Sequence, residues 1–162
     1  MTRREGPDAG PPLVALVRHA AAVERAAWPD DDGARPLSER GRRQAEALAA
    51  RLAPGLRRVL SSPARRCVET VEPLARRVGV RVETVGWLAE GTPAAEALRR
   101  LEEAAHALAG GRLAACSHGD VLPALLELVA PAGGPPRLGT AEVVELELAA
   151  GHLRATRRRE PR

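Results

Sequence analysis

Two histidines and two arginines stand where three apolar runs of this 162-residue chain end. Leu13-Val14-Ala15-Leu16-Val17 is followed at once by Arg18-His19. Val59-Leu60-Ser61-Ser62-Pro63-Ala64 leads into Arg65-Arg66, and Leu113-Ala114-Ala115-Cys116-Ser117 into His118-Gly119-Asp120. A histidine at such a position can act as a nucleophile or a base, and neutral imidazole needs no activation near pH 7. Guanidinium groups hold phosphate oxygens by forked, charged hydrogen bonds. Brought together, His19, His118, Arg18 and Arg66 would have the chemistry of a phosphoryl-transfer pocket.

Such a pocket requires the three strand ends to meet at one sheet edge, where ligands bind in open α/β sheets. The unbroken apolar run 13–17 reads as a buried parallel strand. A helix follows from an N-cap at Ser38 to about Leu52, with Ala45, Leu48, Ala49 and Leu52 on one face. The next strand is Arg58 to Ser61. The spacing then predicts a helix with Ser62 as N-cap, Pro63 in its first turn and Gly79 as its stop. Its apolar stripe is Ala64, Cys67, Val68, Val71, Ala75 and Val78, with Arg66 off the stripe and free to face an anion.

A strand at Val80–Val85 comes next, then a helix from Thr92-Pro93 to about Ala109. A strand at Arg112–Cys116 and a helix from about Asp120 to Val129 follow. Glu142–Leu148 alternates polar and apolar residues, as an edge strand does, and Gly151 turns it into a last strand, His152 to about Thr156. The expected fold is α/β, a three-layer α/β/α sandwich with a mostly parallel central sheet and an antiparallel edge strand. Residues 1–12 read as a flexible lead-in, 13–157 as one domain and 158–162 as a basic tail. Pro131–Pro136 reads as a loop.

The same residues resemble the histidine phosphatase superfamily, the phosphoglycerate-mutase-like group. The resemblance rests on Arg18-His19, on Ser62-Pro63-Ala64-Arg65-Arg66-Cys67-Val68-Glu69-Thr70, and on Ser117-His118-Gly119. Arg35-Pro36-Leu37-Ser38-Glu39-Arg40-Gly41 is similar to the run before the first helix in compact, SixA-like phosphohistidine phosphatases and in phosphatase domains associated with Nudix hydrolases. The match runs from about Leu13 to Val129, in order. It implies that His19 is the nucleophile and forms a phosphohistidine, with Arg18, Arg66, His118 and Arg35 holding the phosphoryl group. The family's arginine lies four positions after its serine, which selects Arg66 over Arg65. It also implies a general acid after the third strand, which selects Glu90, with Glu24 and Asp120 as alternatives. Ala20, Ala22 and Arg25 replace the Gly, Thr and Asn of the wider family's first motif. SixA-like members often lack these too.

All 25 basic residues are arginine, the net charge is +4, and Lys, Ile, Asn, Phe and Tyr are absent. This is the mark of a GC-rich genome. Trp28 and Trp87 are the only aromatics, so there is no stacking platform for nucleic acid, and most arginines are interleaved with Glu and Asp. No apolar run is long enough to span a membrane. Cys67 and Cys116 read as small buried hydrophobes in a reducing cytoplasm. Cys116 does not open a Cys-x5-Arg phosphatase motif, because Leu122 stands at the arginine position. Asp30-Asp31-Asp32 reads as a solvated loop, and His118-x-Asp120 has no second cluster to make a metal site. His106 and His152 read as structural or exposed.

The function expected is metal-independent and cofactor-free hydrolysis through a phosphohistidine intermediate. The substrate would be phosphohistidine in a protein or another phosphomonoester. A nucleotide or small-metabolite phosphatase and a low-turnover phosphate-binding module are the alternatives. Mutase activity is disfavoured for want of a long insertion over the site. A cytoplasmic monomer is favoured.

Overall fold

Val14, Ala15, Leu16 and Val17 are all fully buried, as an apolar run covered on both faces requires. They form the middle of β1 (Leu13–Arg18) in a computed structural model that describes residues 10–130 and 138–156. Most of the expected lead-in, the Pro131–Pro136 loop and the basic tail lie outside the described residues. The remaining elements are α1 (Glu39–Leu52), β2 (Leu56–Ser61), α2 (Arg65–Val78), β3 (Val82–Thr84), α3 (Ala94–Ala107), β4 (Arg112–Ser117), α4 (Val121–Val129), β5 (Val143–Ala149) and β6 (His152–Ala155). Single 3-10 turns lie at Arg25–Ala27, Asp32–Ala34 and Gly86–Leu88.

The six strands form one sheet in the order β3-β2-β4-β1-β5-β6. β3, β2, β4 and β1 run parallel, and the β5–β6 hairpin supplies the antiparallel edge. Side chains of β1 and β4 alternate between two cores. Ala15, Val17, Ala114 and Cys116 pack with Leu48, Leu52, Val71 and Leu74 of α1 and α2. Val14, Leu16, Leu113 and Ala115 pack with Leu101, Ala105, Leu122 and Leu125 of α3 and α4. This is the expected three-layer arrangement.

Ser38 caps α1 as its sequence context implied, accepting from the Gly41 N–H at 3.1 Å. Gly79 ends α2 with φ +76°, a conformation glycine adopts without strain. Some details differ from expectation, including the start of β2 at Leu56 instead of Arg58. α2 begins at Arg65, with Ala64 at the N-cap position making no side-chain cap, while the Ser62 hydroxyl bonds His118 Nε2 and accepts from the Ala64 N–H. β3 is only three residues long, since its ladder with β2 covers Val82 to Thr84 alone. Leu74, beside Pro73, is buried and belongs to the α2 stripe, whereas Val68 is only half-buried.

Candidate active site

The register of the parallel strands assembles the site. Arg18 lies opposite Ser117, and Ser61 opposite Cys116. Hydrogen bonding continues one residue further, from His19 N–H to the Ser117 carbonyl (3.1 Å) and from Ser62 N–H to the Cys116 carbonyl (3.0 Å). His19, Ser62 and His118 therefore leave three adjacent strands at the same edge.

His19 Nδ1 lies 2.8 Å from the Ala20 carbonyl oxygen, which can only accept. The proton therefore sits on Nδ1 and the Nε2 lone pair is available. Burial pushes the His19 pKa down from 6.5 to about 4, and the charges of Arg66, His118 and Arg18 add to the effect. His19 is thus neutral at physiological pH. The His118 ring lies 5.6 Å away, inclined at 64°.

His118 is buried. Its Nε2 is 2.8 Å from Ser62 Oγ, and its Nδ1 is 3.4 Å from Arg66 Nη2 and 3.5 Å from Glu90 Oε1. Arg66 is only 1% exposed, although the sequence leaves it off the apolar stripe. Its burial is offset by acceptors. Nη2 donates to Glu90 Oε1 at 2.8 Å and lies 3.3 Å from Asp32 Oδ2, and Nη1 donates to the Asp32 carbonyl at 3.0 Å. Arg18 Nη1 donates to the Leu138 carbonyl, and Gly119 lies so close to this guanidinium that a Cβ there would fall 2.9 Å from Arg18 Cζ. The Nε groups of Arg18 and Arg66 are buried and have no partner among the described residues.

Glu90 is half exposed and lines two clefts. One, of about 450 Å³, is lined by Asp31, Asp32, Ser62, Arg66, Glu90 and His118, among others. The other, of about 710 Å³, holds Arg18, His19, Arg35, Arg40, Glu90 and Asp120. The two alternative acids, Glu24 and Asp120, both line the larger cleft. Asp120 Oδ2 also accepts from the Gly91 N–H at 2.9 Å, so it fixes the turn that carries Glu90.

Asp32 corrects the reading of residues 30–32 as a solvated loop. Its carboxylate meets Arg25 Nε at 3.1 Å, Arg35 Nε at 3.0 Å and Arg66 Nη2 at 3.3 Å. The hydrogen bond from Arg25, with those of Arg35 and the charge of Arg66, holds its carboxyl well below the usual carboxylate range. Arg35, expected to hold substrate, lines the larger cleft but is committed to Asp32 and to the Val23 carbonyl (2.7 Å).

The loop after His19 is clamped on both sides. The Ala20 N–H donates to Thr70 Oγ1 (2.9 Å), and the Ala21 N–H to Gln44 Oε1 (2.9 Å). Ser38 N–H and Oγ both donate to the Ala21 carbonyl, and the Leu37 N–H to Glu69 Oε1 (3.0 Å). A Cβ on Gly41 would lie 1.9 Å from the Ala21 carbonyl oxygen. The segment 35–41 thus acts as a brace for the His19 loop. Cys67 and Cys116 are buried free thiols. Cys67 Sγ lies 3.6 Å from His118 Nε2, and hydrogen bonding from Cys116 and His118 lowers its pKa. His106 and His152 are exposed, and His152 Nδ1 lies 3.0 Å from Glu102 Oε2.

Among the described residues, no group of three or more His, Cys, Asp and Glu side chains is placed to hold a metal ion, and no helix is long and apolar enough to cross a membrane.

A family model of the histidine phosphatase superfamily (branch 1) matches residues 14–94. The chain is 39% identical over 120 residues to an 8-oxo-(d)GTP phosphatase of Mycolicibacterium smegmatis (strain ATCC 700084 / mc(2)155). The match covers 70% of this chain but only 36% of that relative, so the chain spans about a third of the relative's length. In fold, the chain is similar to the protein histidine phosphatase SixA complexed with tungstate, with a TM-score of 0.73 and 23% identity over 89% of this chain and 94% of that one. It is also similar to a phosphoglycerate mutase from Bacillus anthracis str. Sterne, with a TM-score of 0.76 and 14% identity over 92% of this chain and 93% of that one.

Proposed function

Since the chain belongs to the histidine phosphatase superfamily, we propose that it hydrolyses a phosphoramidate or phosphomonoester through a phosphohistidine on His19. The observation that carries this reading is the state of His19. Its Nδ1 is tied to the Ala20 carbonyl, its Nε2 has no hydrogen-bond partner among the described residues, and burial keeps the ring neutral. The Nε2 lone pair attacks phosphorus and the bond to the leaving group breaks. Water then attacks the phosphohistidine and returns His19 with inorganic phosphate.

The guanidinium groups of Arg18 and Arg66 and the ring of His118 answer the negative charge spread over the phosphoryl oxygens. Glu90 donates a proton to the leaving atom. In the structure described, its carboxylate accepts from Arg66 and lies beside His118, on the groups that would hold the phosphoryl oxygens. Substrate would therefore displace Glu90 from these donors and free it for the leaving group. The reaction needs no metal in this scheme.

The preferred substrate is phosphohistidine in a protein. The smaller cleft sets the carboxylates of Asp31, Asp32 and Glu90 beside Arg66, so acceptors for the N–H of a leaving imidazole stand next to a group that holds the phosphoryl oxygens. The curated relative favours a second reading, a nucleotide phosphatase. Rapid quench with 32P-labelled substrate tests the mechanism. We expect an acid-labile, alkali-stable label on His19 in the wild-type protein and none in His19→Ala. Turnover by His19→Ala at near wild-type rate would overturn it. Rates on a phosphohistidine peptide, nucleoside phosphates, sugar phosphates and p-nitrophenyl phosphate, each with and without chelator, choose the substrate class.

A further inference from the structure

We propose that Ser62 is a positioning residue, whose hydroxyl keeps a proton on Nδ1 of His118 and so keeps that nitrogen a donor toward the phosphoryl group. The proposal rests on the reading of His118 given above. Its basis is a buried pair. Ser62 is 1% exposed, His118 is 2% exposed, and Oγ lies 2.8 Å from Nε2. The Ala64 N–H donates to the same Oγ at 3.3 Å, which orients the hydroxyl.

A hydroxyl can donate or accept, but among the described residues the one acceptor in reach of the buried Ser62 O–H is His118 Nε2, because the Ala64 N–H only donates to it. In the neutral ring, the Ser62 O–H donates to Nε2 and the proton sits on Nδ1. In the charged ring, Nε2–H donates to Oγ and Nδ1 keeps its proton. In both states Nδ1–H faces Glu90 Oε1, which also accepts from Arg66 Nη2. The 3.4 Å approach of Nη2 to Nδ1 is then that of two donors sharing one acceptor. The third state, neutral with the proton on Nε2, would leave the buried Ser62 O–H without an acceptor and aim a lone pair at the phosphoryl oxygens. Without Oγ, Nε2 would keep only the Cys67 thiol at 3.6 Å, a weak partner.

Nitrogen-15 NMR of histidine-labelled protein near neutral pH reads the tautomer directly. Wild type is expected to show Nδ1–H at His118, and a wild-type ring that is neutral with its proton on Nε2 overturns the proposal. Ser62→Ala should move the ring toward Nε2–H and lower kcat about 10- to 100-fold, the scale of losing an orienting partner, with KM within about threefold. Ser62→Thr should restore both the tautomer and most of kcat. A Ser62→Ala protein whose kcat stays within threefold of wild type, or whose tautomer is unchanged, also overturns the proposal. If Ser62→Ala fails to fold, the wild-type tautomer and the kcat of Ser62→Thr decide. Absence of label on His19 in wild type would defeat the covalent reading instead, whatever the tautomer of His118.

Discussion

Replacing Glu90 by Gln should separate two consequences of its position. The carboxylate is half exposed, and its Oε1 accepts from Arg66 Nη2 at 2.8 Å. Arg66 is buried, but Glu90 is half exposed and Gln keeps an oxygen that can accept from Nη2, so the change is worth about 1 kcal/mol, or roughly a factor of five. Glu90→Gln should therefore leave the melting temperature almost unchanged. It should also tighten inhibition by vanadate, up to about fivefold, because a neutral amide competes less well for Arg66 and His118. Catalysis should move the other way. Loss of a general acid costs about 10²- to 10⁴-fold for leaving groups that must be protonated. The p-nitrophenolate ion leaves with little help, and histidine can leave already protonated, so both should lose far less than an alkyl phosphate. The assay is kcat for the three substrates together with Ki for vanadate, in wild type and variant. Equal losses on all three substrates, or weaker vanadate binding, would refute the reasoning and move the acid role to Glu24 or Asp120.

His19, with its pKa pushed down to about 4, should give an acid limb in kcat/KM near pH 4 instead of near 6.5, and a limb at 6.5 would contradict its burial. The unfolded chain takes up this proton first, so stability is held above pH 6.5 and falls by about 3 kcal/mol as pH drops toward 4, a loss that His19→Ala should reduce in denaturant titrations. Gly119→Ala should push the Arg18 guanidinium, which would meet the new Cβ at 2.9 Å, and lower kcat/KM about 10- to 100-fold. Unchanged kinetics would show that Arg18 moves without penalty. Gly41→Ala drives a methyl into the Ala21 carbonyl oxygen and should cost about 1–3 kcal/mol in thermal denaturation, together with activity. An unaltered melt would mean that the brace on the His19 loop is loose.

The strand ends, the Ser38 cap, the Gly79 stop and the layer order were legible because each depends on neighbours in sequence. An unbroken apolar run means burial on both faces wherever it occurs. Ser62 misled for the same reason. Ser-Pro before a helical pattern is a good local start, but the partner of this hydroxyl is 56 residues away. Asp32 looked like one member of an acidic, solvated run, and only folding brings it to Arg66, 34 residues on. Arg66 was placed off the apolar stripe, yet it is buried because Glu90 and Asp32 satisfy its guanidinium. Pairings of this kind leave no periodicity, so spacing alone cannot reveal them.

The position of β4 in the sheet bears on how the chain can be assembled during synthesis. Among the described residues β1 pairs only with β4 and β5, and β4 lies between β1 and β2. β2 and β3 can pair as soon as Thr84 is made, but β1 has no neighbour until Arg112–Ser117 has been made. The apolar segment Val14–Val17 must wait about a hundred residues for its first partner strand, with the loop-closure cost and exposure to wrong partners that such a wait brings. A fragment ending at residue 94 would hold most of the recognisable family sequence, yet it would lack the strand that joins its halves. His19 is made well before it can be seated, because the strand that seats it, β4, also delivers His118.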